Sequence, residues 1–256
     1  MAQNNTFDLD GKIALVTGAS RGIGAAAAGI LAAHGAHVIL SSRKEGACEE
    51  VAEAIRAKGG KASALACHIG EMDDITAAFE SIEKTHGRLD ILVNNAATNP
   101  YFGPIVDTDP GAFQKTVDVN IRGYFFMCAL GAKLMAKNGG GSIINVASVN
   151  GAIPAAMQGI YSITKAAVLS MTKAFAKECA PQGVRVNAIL PGATDTKFAA
   201  ALVQNPAILK MALQHIPMNR VAQPEEIVGA ILYLASPAAS YTTGAEINVD
   251  GGYLTV

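Results

Sequence analysis

Short β-branched runs, each followed by a longer run rich in Ala, Leu, Glu and Lys, set the narrowest limit on what this chain can fold into. The strand candidates are residues 13–17, 37–41, 62–66, 89–93, 142–147, 184–190 and 246–249, and the helix candidates lie near 23–34, 45–58, 72–86, 111–137, 158–179, 198–213 and 224–235. Strand, helix and strand in succession make a right-handed crossover between parallel strands, and a parallel sheet must be covered on both faces. The expected fold is therefore α/β: a doubly wound parallel sheet of about seven strands, with helices on both faces. Within the 256 residues, 1–8 are expected to be a flexible polar tail and 9–256 a single domain, with a substrate lid at about 193–220.

Composition removes several function classes. Hydrophobic residues make up 50% and charged residues 16%, with no block of like charge, so extended disorder is not expected. A net charge of −1, no Trp and 5% aromatics provide neither a phosphate-tracking face nor a stacking platform for nucleic acid. The apolar stretch 123–132, bounded by Arg122 and Lys133, is too short to span about 30 Å of hydrocarbon, so no membrane span is expected. The N-terminal MAQNNTFDLDGK lacks the basic and apolar regions of a secretory leader. Cys48, Cys67, Cys128 and Cys179 contain no C-x-x-C pair, which fits free thiols in the cytoplasm. His34, His37, His68, His86 and His215 match no metal-ligand spacing, so no metal is expected.

Three places carry chemistry. TGASRGIG at 17–24 ends the first strand candidate and opens the first helix; its glycines either close a tight βα turn or also let the backbone approach a pyrophosphate seated on free helix N–H groups. The spacing is G-x-x-x-G-x-G, not G-x-G-x-x-G. About twenty residues later the second strand ends in Ser41, Ser42, Arg43 and Lys44, where an NAD enzyme is expected to offer an acidic residue to the ribose. This is either a solvated basic turn or, alongside the glycine motif, a site for a 2′-phosphate. In the third place the strand candidate 142–147 delivers Ser148, and a later helix puts Tyr161 and Lys165 four residues apart on one face. If the intervening loop folds back, a hydroxyl, a phenol and an ammonium converge. Asn94 and Asn95, at the end of the 89–93 run, are expected to brace neighbouring strand ends. Asn120 is a misfit inside a helical pattern, pointing to a bend or a specific role.

Together TGASRGIG, NNAAT at 94–98, Asn120, Ser148, Tyr161-x-x-x-Lys165, Pro191-Gly192 and the terminal VDGG at 249–252 resemble the short-chain dehydrogenase/reductase family, with motif order and spacing kept from about residue 9. Within it, SSRK at 41–44 and NPYFGP at 99–104 look like the NADPH-dependent carbonyl and retinal reductases. The resemblance implies a Rossmann-type domain and an oxidoreductase that moves hydride between NADP(H), or NAD(H) second, and a carbonyl or secondary alcohol. It implies Tyr161 as acid/base, with Lys165, Ser148 and Asn120, the last supporting a water-linked proton path. It places Gly18, Ser20, Arg21, Gly22, Ile23, Gly24, Ser42, Arg43, His68, Ile69, Asn94, Ala96, Tyr161, Lys165, Pro191, Gly192, Thr194 and Thr196 along the cofactor. One departure stands out: Cys67-His68-Ile69 occupies the place of the usual Asp and aliphatic residue, so His68 either packs beside adenine or holds its own strand end.

A free phenol titrates near pH 10, and an ammonium within about 4–6 Å favours its anion, so Lys165 is expected to lower the Tyr161 pKa. Tyr101, Phe102, residues 149–157 and the apolar residues of 198–218, Leu202 and Val203 included, either bury a lid helix or line an apolar pocket. Lys197 and Arg220 are the candidate anionic anchors. The expected substrate is an apolar ketone or aldehyde. The alternatives are a 3-oxoacyl thioester on a carrier protein, an NAD-dependent alcohol oxidation, or cofactor sensing without turnover. The run 166–176 is apolar over more than one helical stripe, and family members pair this helix and 111–137 across two-fold axes, so the expected partner is the chain itself, as a homotetramer or, failing that, a dimer.

Overall fold

A computed structural model describes residues 6–199 and 206–255. Each strand run forms a strand: β1 (Ile13–Thr17), β2 (His37–Ser42), β3 (Lys61–Ala66), β4 (Ile91–Asn94), β5 (Gly141–Val146), β6 (Val184–Pro191) and β7 (Glu246–Val249). They pair in parallel throughout, in the order β3-β2-β1-β4-β5-β6-β7. The order reverses between β1 and β4, which splays the loops above that junction and opens a crevice at the carboxyl ends of the strands.

The alternation of side chains along each strand divides the core in two. Ala14 and Val16 of β1 face one cluster, packed with Ala27, Leu31, Ile227 and Ile231, while Leu15 faces the other, with Phe79, Met127 and Val168. The first cluster is covered by α1 (Gly22–Ala33), α2 (Glu45–Ala57) and α8 (Pro224–Ala235), the second by α3 (Met72–His86), α5 (Tyr124–Ala136) and α6 (Gly159–Cys179). Thr6 already accepts a hydrogen bond from Ala238 N (3.1 Å), and Leu9 is 1% exposed.

Two expected helices differ. The 111–137 run is not one α-helix: α4 (Pro110–Val117) passes into a π-helical turn (Asp118–Gly123) before α5. Near 198–213 a short 3₁₀ turn (Lys197–Ala199) and α7 (Pro206–Leu213) are present, and the intervening 200–205, with Leu202 and Val203, fall outside the described residues. Among the described residues no helix is long and apolar enough to cross a membrane.

Candidate active site

At the end of β1 the chain turns at Gly18 (φ +65°), a left-handed backbone that favours glycine. A Cβ there would come within 2.8 Å of the Ala96 Cα, and one at Gly24 within 2.4 Å of the Gly18 carbonyl oxygen, so the turn closes tightly because side chains are missing. Helix α1 starts without a side-chain cap on its first N–H groups and without an acid in its first turn. These unpaired donors form an anion cradle.

Strand β4 stops at two amides that do what their position predicts. Asn94 Nδ2 donates to Asn145 Oδ1 (3.0 Å) within the core, and Asn95 Nδ2 donates to the Thr17 carbonyl (2.9 Å), tying β4 to β5 and β1. Asn120 sits in the π-helical turn, where its amide reaches sideways: Oδ1 accepts from Thr98 N (2.9 Å), and Nδ2 donates to the Thr98 carbonyl (2.9 Å) and to Thr164 Oγ1 (3.1 Å). The misfit in the helical pattern thus marks both a bend and a clamp.

The loop after β5 does fold back. Ser148 ends the strand in extended backbone and accepts from Asn150 N (3.1 Å), and a Cβ at Gly151 would lie 2.9 Å from the Lys165 backbone carbonyl carbon. Ser148, Tyr161 and Lys165 consequently line one cleft of about 660 Å³. Lys165 Nζ, 1% exposed, donates to the Val146 carbonyl (2.7 Å) and lies 5.6 Å from the centre of the Tyr161 ring. On its other side is Tyr124, 5.0 Å to the ring centre, with its hydroxyl 3.5 Å from Nζ.

The electrostatics run against the expected direction. Burial pushes the Tyr161 phenol up to about 12, with the Ser148 hydroxyl pulling the other way, and lowers Lys165 to about 7. Both groups are enclosed, and desolvation penalises each charged form. The ammonium is spent on a carbonyl and offset from the phenol, so in this state it does not hold Tyr161 as a ready base.

Of the predicted site residues, only Gly24, Asn94 and Asn120 stand behind the cleft wall; the others line it. Arg21 and Arg43 are exposed on it, and among the described residues neither is held in an ion pair or hydrogen bond, so Glu45 does not draw Arg43 away. Ser42 differs from expectation in orientation: its hydroxyl donates to the Lys44 carbonyl (2.9 Å) and receives the Cys48 thiol. His68 holds its own strand end, where Nδ1 accepts from Gly70 N (3.0 Å), and it also lines the cleft. Arg220, outside the cleft lining, forks onto Glu226 at 2.7 and 2.8 Å, whereas Lys197 lines the cleft.

Among the described residues five basic side chains, Arg21, Arg43, Lys115, Lys165 and Lys197, line the cleft and no carboxylate does. Together with the cradle of α1, this donor set fits a dinucleotide carrying negative phosphates. The sequence reading missed Tyr124, Gln158 and Tyr253, all brought to or behind the cleft by packing alone. The only local signals were a Tyr four residues after Asn120 and a Tyr following VDGG.

Residues 18–254 match the family described as Enoyl-(Acyl carrier protein) reductase. Among individual relatives, "Dehydrogenase/reductase SDR family member 4" of Oryctolagus cuniculus is 37% identical, the match covering 95% of this chain and 94% of that protein. The chain belongs to the short-chain dehydrogenase/reductase family. As a short-chain dehydrogenase/reductase it is an oxidoreductase of the alcohol and ketone type. Two solved structures share the fold at a TM-score of 0.94. One is a "putative NAD(P) dependent gluconate 5-dehydrogenase" from Beutenbergia cavernae with bound NADP, 35% identical, covering 98% of this chain and 100% of that one. The other is a gluconate 5-dehydrogenase from Burkholderia cenocepacia in complex with NADP and tartrate, 33% identical and covering 98% of each chain.

Proposed function

We propose that this short-chain dehydrogenase/reductase reduces a ketone or aldehyde with NADPH, or runs the same step backwards on a secondary alcohol, as a cytoplasmic homo-oligomer. The observation that carries the reading is the joint presence of the Ser148 hydroxyl and the Tyr161 phenol in one cleft whose charged lining, among the described residues, is basic.

A bound nicotinamide cofactor supplies or accepts the hydride. In reduction the carbonyl carbon takes that hydride while Tyr161 gives its phenolic proton to the oxygen, so C=O becomes CH–OH. The high Tyr161 pKa keeps that proton in place until charge develops on the substrate. Ser148 holds the same oxygen and stabilises its growing charge. Lys165, 5.6 Å from the centre of the Tyr161 ring, would in its charged form support the transient tyrosinate and could also hold the bound cofactor. Asn120 fixes the start of the 98–104 loop and the α6 residue next to Lys165, with both halves of its amide engaged.

NADPH is favoured over NADH because Arg21 and Arg43, both exposed on the cleft wall and unpaired among the described residues, would fork onto a 2′-phosphate bound there. The names of the two solved relatives above mention bound NADP, which supports the same choice. A carrier-bound thioester is less well served. In sequence the basic residues beside the 138–141 turn are Lys133 and Lys137, and Lys137 pairs with Glu83; of the cations the fold brings to that turn, Lys12 and Arg88 pair with Asp90 and Arg185 donates to the Leu234 carbonyl.

The test is consumption of NADPH and NADH against ketones, aldehydes, a diketone and an acetoacetyl thioester. Expected are carbonyl reduction, at least tenfold preference for NADPH that Arg43→Ala abolishes by weakening NADPH alone, and a loss of about 10²–10⁴ in turnover for Tyr161→Phe with cofactor binding kept. Turnover within a few-fold of wild type in Tyr161→Phe removes it from the mechanism. Tighter NADH binding by the wild type makes the basic turn a solvated surface.

A further inference from the structure

The loop 99–104 forms a strap that lines the cleft with Asn99 and Phe102 and is pinned to the start of α6. Gly103 N donates to the Met157 carbonyl (2.9 Å) in a parallel bridge between Gly103 and Gln158, and Asn99 Nδ2 donates to Gln158 Oε1 (3.3 Å). Met157 adopts φ +66°, a left-handed backbone uncommon outside glycine, which directs its carbonyl at the strap and sets Gln158 as the residue before the first turn of α6. Gln158 and Tyr161 are three apart and share the cleft-facing side.

This junction leaves polar valences open. Gln158 spends Oε1 on Asn99, while its Nε2 has no hydrogen-bond partner among the described residues. Asn99 Oδ1 is buried without a partner. On the same cleft are two exposed apolar side chains, Phe102 (44%) and Phe198 (52%). A purely hydrocarbon substrate filling the space would strip water from the Gln158 amide and leave it unpaired, which disfavours such a substrate. One bearing another oxygen next to the reacting carbonyl restores the bond.

Resting on the carbonyl-reduction reading above, we infer that Gln158, held by Asn99, is a specificity-determining residue that selects carbonyl compounds with a second oxygen one or two carbons from the reacting carbon. These are hydroxyketones and dicarbonyls, or vicinal and 1,3-diols in the oxidative direction. The reacting carbonyl takes hydride at carbon and the Tyr161 proton at oxygen. The second oxygen only accepts from Gln158 Nε2. It undergoes no bond change.

The test compares kcat/KM for 3-hydroxy-2-butanone, 2,3-butanedione and 2-butanone in the wild type, in Gln158→Met, which keeps the volume, and in Asn99→Ala. The wild type should favour the two oxygenated substrates by at least tenfold over 2-butanone. Gln158→Met should bring that ratio to within threefold of one by losing the oxygenated substrates alone, and Asn99→Ala should lower it partly. A wild type without the preference overturns the inference while leaving carbonyl reduction standing. Equal loss on all three substrates in Gln158→Met also overturns it, since that marks a structural role. Turnover of no carbonyl with either cofactor overturns both readings.

Discussion

Lys165 is the least expected group at the scale of a single residue. An ammonium almost sealed from water, on one carbonyl and between two phenol rings, has little to offset its lost hydration, and its pKa falls to about 7 from 10.5. Below pH 7 the buried charge weighs fully against folding. As pH rises through 7 the folded protein sheds the proton while the unfolded chain holds it to 10.5, so stability should climb across that window. Tyr161 works the other way, favouring the folded state below pH 10 and losing that effect as pH rises towards 12, and Cys67 and Cys128 follow a similar course from 9 upward. The interval from pH 7 to 9 therefore isolates the lysine. Urea unfolding of the cofactor-free protein should gain about 1 kcal/mol per pH unit there relative to Lys165→Met. Parallel pH curves for the two proteins would show that Lys165 stays charged in the fold.

Among the elements, the π-helical turn is the one whose shape has a traceable cause and use. Asp118–Gly123 brings its backbone against the end of β3: a Cβ at Gly123 would lie 2.2 Å from the Ile69 carbonyl oxygen, and Arg122 donates to the Gly70 carbonyl. The extra residue in the turn swings Asn120 out of the helical stripe toward Thr98 and Thr164. Gly→Ala in an ordinary helix stabilises by about 1 kcal/mol, but here the methyl meets a backbone atom that cannot yield. Gly123→Ala should destabilise by about 1–3 kcal/mol, lowering Tm by about 2–4 °C per kcal/mol, and should cut activity more than Gly29→Ala, where nothing lies within 4 Å. An unchanged melting temperature for Gly123→Ala would mean that the close approach is not needed.

For the whole molecule, a net charge of −1 conceals a cleft whose charged side chains are all basic among the described residues, so its positive field is local. Apolar surface is also unevenly placed. Within 166–176, Val168, Leu169 and Met171 are core residues, and what α6 exposes there is small, Ala166, Ser170 and Ala174, beside Lys173. The bulk comes from α4 and α5, where Phe113, Phe125 and Phe126 are 49%, 46% and 37% exposed, and from Ile163 at 54%. A flat small-residue stripe beside clustered aromatics is the kind of surface that another subunit covers. Light scattering at micromolar concentration should give a tetramer, or a dimer, and Phe125→Glu with Phe126→Glu should shift it to a smaller species. A monomeric wild type would refute this.

The chain's periodicity determined the sheet. β1 and β7 have the bounds read from the sequence, and the other strands differ by only a few residues at either end, because a short β-branched run, as a strand buried on both faces requires, is written in neighbouring residues. Ser148, Tyr161 and Lys165 were legible for a similar reason: a strand end and an i, i+4 pair are local facts. Tertiary structure alone decided the rest. The pKa values of Tyr161 and Lys165 depend on how much water the surrounding elements exclude, which the four-residue spacing does not contain. The π-helical turn arises from the contact between Gly123 and Ile69, 54 residues apart by their numbers. The meeting of Asn99 with Gln158 needs the left-handed turn at Met157, a conformation that methionine does not favour locally and that the docked strap imposes.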